Sequence, residues 1–240
     1  MTYNMKAIGI IESPYREKFA IPRQPGLVKS AHGTIVMAEE FSSPDFFRGL
    51  DSFSHLWLQF VFHETINQGW QALVRPPRLG GNAKLGVFAT RSTFRPNALG
   101  LSVVELVDIH YKNGQARIDI GGLDLLHGTP IVDIKPYLPY ADGIIDARGG
   151  YAHVAPGNSI AIEFNSDTQQ VLNQYAAEYP NLKTLITEVL KQDPRPAYQK
   201  KNASHRIYGM QLFDFNINWQ VQAEEQAEVH QVISITRLST

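Results

Sequence analysis

Over the first two-thirds of the chain, apolar and polar positions alternate in short bursts. Residues 6–11 (KAIGII), 33–37 (GTIVM), 56–62 (LWLQFVF), 85–90 (LGVFAT), 101–109 (LSVVELVDI), 116–120 (ARIDI) and 131–135 (IVDIK) are rich in β-branched or aromatic side chains, with Gly, Pro, Asn or Ser between them. Such runs predict strands. Many short strands without intervening helices predict an antiparallel sandwich or barrel. A parallel sheet would need crossover helices, for which these connections leave no room.

The last third changes period. Residues 167–178 (DTQQVLNQYAAE) and 181–192 (NLKTLITEVLKQ) have helical spacing, and Leu182, Leu185, Ile186 and Val189 fall on one apolar face. Pro180 separates the two helices and Asp167 is the predicted N-cap of the first. Three strands are predicted next, at 206–213, 215–221 and 229–236, the first pair joined by a turn around Asp214 and the second by an acidic loop, Ala223–Glu228. The fold expected is mainly β: an N-terminal antiparallel barrel over 1–155 and a small α+β domain over 156–240, divided at the APGN loop.

Composition narrows the chemistry. The 240 residues are 43% hydrophobic and 19% charged, ordinary for a globular chain. There is no cysteine, which removes disulfides, thiolate metal sites and cysteine nucleophiles. The N-terminal apolar stretch, Ala7–Ile11, is too short for a signal peptide, and no apolar run approaches the roughly 18 residues of a membrane helix. A cytoplasmic enzyme or binding protein, with no membrane partner, is the expectation.

Net charge is −1, so a polyanionic partner has to be met by a local patch. Thr65–Val104 contains no Asp or Glu but carries Arg75, Arg78, Lys84, Arg91 and Arg95; a second basic group is Lys191, Arg195, Lys200, Lys201 and Arg206, tempered by Asp193. Each alone reads as a solvated surface. Two of them beside Pro/Gly-rich loops point to an anionic ligand, RNA phosphate first.

The familiar cofactor motifs are missing. There is no G-x-G-x-x-G, and although Gly81 and Gly86 have phosphate-loop separation, Val87 stands where lysine is required. His63–Glu64 begins like H-E-x-x-H but Asn67 ends the match, and His55 and His63 would be roughly 26 Å apart at about 3.3 Å per residue, so no metal site is expected. There is no G-x-S-x-G, which disfavours a serine hydrolase. Arg91, Arg95 and Asn97 lie on a predicted inter-strand loop stiffened by Pro96. Asp193-Pro-Arg-Pro-Ala-Tyr198 follows the second helix; it reads either as a helix stop or as a rigid loop presenting Asp193, Arg195 and Tyr198 to a ligand.

Several long segments, IESPYREKFAIPRQPG, FSHLWLQFVFH, RPPRLGGNAKLGVFATRSTFRPNALGLSVVEL, GLDLLHGTPIVDIKPY and DPRPAY, resemble the TsaA/TrmO family of tRNA methyltransferases along nearly the whole chain, especially its two-domain proteobacterial members. The resemblance implies a β-barrel that binds S-adenosylmethionine and a homodimer with the cofactor near the subunit interface. It also implies methylation of N6 of threonylcarbamoyladenosine at tRNA position 37, in the anticodon stem-loop. By motif, Pro22, Arg23, Gln24, His63, Glu64, Arg91, Leu101, Gly128, Thr129 and Pro130 would contact the cofactor. His127 stands where the family usually has Asp before Gly-Thr-Pro; a side-chain contact there would be altered, a backbone contact would not. On this reading Asp193, Arg195 and Tyr198 serve the reaction. Asp193 or a backbone carbonyl would take the N6 hydrogen, Arg195 would bind the threonyl carboxylate, and Tyr198 would stack on the purine. Arg75, Arg78, Lys84, Arg95, Lys200 and Lys201 would contact RNA, and Arg91 would hold the methionyl carboxylate or a phosphate. The competing classes are a non-catalytic tRNA-binding barrel and a small-molecule methyltransferase or hydrolase.

Overall fold

A computed structural model describes residues 1–157, 160–195, 206–223 and 228–239. Six strands make the first sheet: β1 (Gly9–Glu12), β2 (His32–Met37), β3 (His55–Val61), β6 (Leu99–Lys112), β7 (Gln115–Gly121) and β8 (Pro130–Pro136). Their order is β1-β2-β7-β6-β3-β8, and β8 pairs back onto β1 through Gly9↔Ile131 and Ile10↔Pro130, so the sheet closes into a barrel. All these pairings are antiparallel.

Period-2 alternation decides the inside. Leu56, Leu58 and Phe60 of β3, Ala116, Ile118 and Ile120 of β7, Ile35 and Met37 of β2, Ile11 and Ile131 are buried, while their neighbours on each strand face outward.

The 85–90 run does not become a full strand. Only β5 (Leu85–Gly86) is extended, paired with the two-residue β4 (Leu73–Val74), and Val87–Ala89 turns into a single 3₁₀ turn. Val87 is the buried residue that ties this turn down, whereas Phe88 points outward, 78% exposed. The excursion between β3 and β6 is therefore an arm with a small ribbon of its own.

After a short helix, α1 (Pro139–Asp142), the second unit begins with β9 (Ala161–Phe164). Helices α2 (Ser166–Gln174) and α3 (Leu182–Lys191) follow, then β10 (Ile207–Leu212), β11 (Phe215–Ala223) and β12 (Glu228–Arg237). The sheet order is β10-β11-β12-β9, with β9 parallel to β12. The sequence did not mark β9, a four-residue piece whose partner lies more than sixty residues on. The cap of α2 is Asn165, whose side chain accepts from Thr168 N at 2.8 Å; the predicted cap, Asp167, sits in the first turn instead. The predicted face of α3 is buried as expected, with Leu190 added.

The two units are fastened together. Phe213 N donates to Pro14 O (2.7 Å), Gln211 N to Glu17 Oε1 (3.0 Å), and Ser30 donates from both N and Oγ to Glu188 Oε2 of α3 (2.9 and 2.8 Å).

Gly100 fixes one part of this packing. It pairs with Phe60 across β3 and β6, and a Cβ there would lie 2.3 Å from two ring carbons of Phe60. We expect Gly100→Ala to destabilise the fold by about 1–3 kcal/mol in urea unfolding, as overpacked cores do. Gly86→Ala, where a Cβ meets nothing within 4 Å, should change it by less than about 0.5 kcal/mol.

Candidate cofactor cup

The connection from β1 to β2 folds over one end of the barrel and carries Pro22, Arg23 and Gln24. With the end of β3, the start of β6 and the 124–129 turn it encloses a cavity of about 290 Å³. Its wall includes Lys18, Pro22, Arg23, Gln24, Phe60, Phe62, His63, Glu64, Arg91, Leu101, Asp124 and Thr129. These come from five separate stretches of sequence.

Each contributor is held by its own element. Pro22 is buried, while Arg23 is exposed and Gln24 half-buried. Arg91 donates from Nη1 to Gln24 Oε1, which ties the arm to the β1–β2 connection. Phe60 and Phe62 meet edge to face at 5.3 Å and form the apolar floor. His63 and Glu64 follow the end of β3, with His63 Nε2 3.7 Å from Glu64 Oε1. The 127–129 turn is laced to β1: His127 N donates to Tyr15 O, Gly128 N to Ile11 O, and Ile11 N to Thr129 O, at 2.9, 2.9 and 3.0 Å. Gly128 has φ +81°, a left-handed conformation that favours glycine. Thr129 is buried and donates from Oγ1 to Leu126 O at 2.7 Å, and Pro130 begins β8 opposite Ile10.

His127 does not face this cup. It lines an adjoining hollow with Arg16, Glu17, Phe19 and the shared residues Lys18, Glu64 and Leu126. Its Nδ1 accepts from Ser13 N at 3.3 Å. Burial, with Arg16 nearby, pushes the imidazole pKa below its usual value and favours the neutral ring.

The cup also contains a carboxylate to which the sequence reading gave no role. Asp124 accepts from Ser102 Oγ at 2.6 Å, and Ser102 itself is buried on β6. Burial pushes the Asp124 pKa up to about 6, against the opposing pull of the Ser102 hydroxyl, its own backbone N–H and the Arg91 charge. A lone acid inside the apolar run Gly122-Leu123-Asp124-Leu125-Leu126 was the available signal.

Other predicted residues are placed differently. Arg195 is 1% exposed; it donates to both oxygens of Asp193 (2.6 and 3.1 Å) and to Glu228 Oε2 (2.6 Å). Burial alone would lower its pKa, but the two carboxylates outweigh that and hold the guanidinium charged. Neither Asp193 nor Arg195 lines the cup. Their ion pairs join the end of α3 to β12. Tyr198, Lys200 and Lys201 lie outside the described residues. Arg95 turns back onto the carbonyls of Thr90 and Ser92, at 2.9 and 3.4 Å, and Arg78 donates to Val154 O, so each braces a loop. Arg75 and Lys84 are exposed on the arm, next to Trp70 (63% exposed) and Leu73. On the barrel exterior, Asp108, His110 and Asp119 bring their ligand-type atoms within 4.8 Å of one another, a grouping the sequence reading did not pick out. Among the described residues no helix is long and apolar enough to cross a membrane.

Comparison with known proteins gives the family. The family model for the tRNA-methyltransferase O N-terminal domain matches residues 10–143, and that for the TrmO C-terminal domain matches residues 157–235. The chain belongs to the tRNA-methyltransferase O family. It is 50% identical over 220 residues to the Escherichia coli tRNA (adenine(37)-N6)-methyltransferase, covering 92% of this chain and 94% of that one. A Pseudomonas aeruginosa protein provisionally named an S-adenosylmethionine-dependent methyltransferase is 45% identical over 220 residues, 91% of this chain and 93% of its own. The crystal structure of TrmO from Pseudomonas aeruginosa superposes with a TM-score of 0.79 at 37% identity, over 99% of this chain and 98% of that one.

The Arg195 placement can be checked without RNA. Breaking a buried ion pair by removing one partner leaves the other charge uncompensated. Arg195→Ala should therefore lower the unfolding free energy by about 3–5 kcal/mol in denaturant titrations of the free protein.

Proposed function

We propose that this protein is an S-adenosylmethionine-dependent methyltransferase acting on N6 of adenosine 37 of tRNA, in its threonylcarbamoylated form. The observation that carries this reading is the meeting of Arg23, Gln24, His63, Glu64, Arg91, Leu101 and Thr129 in one cup, in a chain half identical to an enzyme of that name.

The donor set fits the cofactor. Arg23, Arg91 and Lys18 offer cations for a carboxylate, Phe60, Phe62 and Leu101 offer apolar wall for a nucleoside, and Gln24, His63 and Thr129 offer polar contacts. S-adenosylmethionine supplies an electrophilic methyl group on a sulfonium. The protein's part is to hold and orient, which for well-placed reactants is worth several orders of magnitude in rate. Arg91, already turned toward Gln24 at the cup, is placed to hold the methionyl carboxylate. The apolar floor keeps water from the reacting groups. Adenine N6 is a weak nucleophile, so an acceptor for its hydrogen adds a modest general-base effect.

The RNA side is assigned to the arm and the second unit. Arg75 and Lys84, with exposed Trp70 and Phe88, combine charge for phosphates with faces on which bases stack. Beyond the Asp193–Arg195–Glu228 anchor, Tyr198 is the proposed stacking partner of the purine, and Lys200 and Lys201 contact the anticodon stem-loop. The working form is a cytoplasmic homodimer with the cup near the subunit contact. Leu101 and Val107, about half exposed on one face of β6, support this as an apolar strip for a second copy to cover.

Two measurements test the reading. Incubation with methyl-labelled cofactor and tRNA, followed by nucleoside mass spectrometry, should place the label on N6 of threonylcarbamoyladenosine, with little on tRNA lacking that modification; label on another nucleoside, or none, defeats it. In calorimetric titration without tRNA, Arg91→Ala should weaken S-adenosylmethionine about tenfold or more, the scale of one charge-assisted hydrogen bond. Unchanged affinity would move Arg91 to the RNA.

A further inference from the structure

The cup brings together several cations, an apolar floor and one enclosed carboxylate. Arg23, Arg91 and Lys18 account for an anionic group of a ligand. Nothing in the proposed function uses Asp124. Its carboxylate lines the cavity along with Phe60, Leu101 and Leu125, and it accepts from Ser102 Oγ at 2.6 Å. Ser102 is 2% exposed and stands two positions from Gly100, so the hydroxyl is fixed in the barrel wall and sets the direction of the acid. Glu64, also in the cup wall, is more than half exposed and stands 3.7 Å from His63, whereas Asp124 is only partly exposed. A carboxylate that accepts from one hydroxyl and its own backbone N–H retains acceptor capacity toward the cavity. Buried charges are ordinarily paired.

We propose that Asp124, oriented by Ser102, is the anionic partner in the cup for the positive charge of the bound cofactor, and so helps set preference for the charged methyl donor over uncharged nucleosides. This rests on the S-adenosylmethionine reading above. The cofactor has two cationic centres, its sulfonium and its α-ammonium, and either is a suitable partner. The raised pKa of the Asp124 carboxyl, caused chiefly by burial, shows that the pull of Arg91 does not offset desolvation, which a cationic ligand would help to do.

The test is calorimetric titration at pH 8 of the wild-type chain and Asp124→Asn with three ligands. S-adenosylmethionine carries both cations, S-adenosylhomocysteine carries only the ammonium, and 5′-methylthioadenosine carries neither. Asp124→Asn should weaken S-adenosylmethionine tenfold or more while changing 5′-methylthioadenosine by less than twofold. A loss on S-adenosylhomocysteine equal to that on S-adenosylmethionine assigns the ammonium; no loss assigns the sulfonium. Equal weakening of all three ligands would make Asp124 a holder of the nucleoside and overturn the proposal, as would unchanged affinity for S-adenosylmethionine. Ser102→Ala, which leaves the carboxylate in place but undirected, should give a smaller loss with the same ranking, and serves if Asp124→Asn does not fold. If the wild-type chain binds none of the three, the cofactor reading fails and this proposal with it; if it binds all three and Asp124→Asn leaves the ratios of their affinities unchanged, only the Asp124 assignment fails.

Discussion

The cup exists because the connection between β1 and β2 is fastened at both ends. Left to itself, a stretch of some twenty residues without regular strands would lose about 1–2 kcal/mol per residue of conformational freedom on ordering. Here the leading end is bound through Pro14 O and Glu17 to the β10 edge and the following turn, and Tyr15 forms a β-bridge with Leu212. The trailing end is held through Ser30 to Glu188 on α3, and the middle by Gly26 N donating to Gly122 O. Pro22, Arg23 and Gln24 sit between these clamps. The second unit therefore does more than follow the barrel in sequence: it supplies one jaw of the frame that holds the cup wall. The family models match both units, which fits a site built by both.

The same frame explains why the acid-free stretch is functional ground. Residues 65–104 form the arm, and with no carboxylate of their own their cations are not neutralised locally. Two arginines are consumed in bracing: Arg95 on its own loop and Arg78 on Val154. Arg91 is turned toward Gln24 at the cup, leaving Arg75 and Lys84 on the arm's exposed surface. One charge pattern along the chain thus divides by geometry into braces, a cup residue and a surface pair.

Much of this was legible from residue order alone. Alternating apolar runs marked all six barrel strands because each has one face in the core, and the i, i+3, i+4, i+7 spacing of α3 survived for the same reason. The run at 85–90 misled because Val87 is buried for the sake of a 3₁₀ turn, and a short apolar run does not distinguish the two outcomes. β9 was missed because it is extended only by virtue of a parallel partner far along the chain. Cup residues were placed by resemblance; periodicity carries no information about which loops meet. Asp193 and Arg195 were read as ligands of substrate because a Pro-rich loop exposes its polar groups; their link to Glu228, on a distant strand, leaves no mark in residue order.

That cluster and Asp124 show two opposite treatments of an enclosed charge. Around Arg195, two carboxylates neutralise the guanidinium at 2.6 Å, although its buried Nη1 has no hydrogen-bond partner among the described residues, and the low dielectric strengthens those ion pairs. At Asp124 the scaffold provides a hydroxyl in a cup with apolar walls, and the Arg91 charge acts on the acid through space. The floor that makes this possible is narrow in origin. Phe60 can lie against β6 only because residue 100 has no side chain, and it lines the same cup as the acid. A glycine needed for packing thereby admits an aromatic wall to the cup, and apolar wall strengthens a charge pair formed beside it.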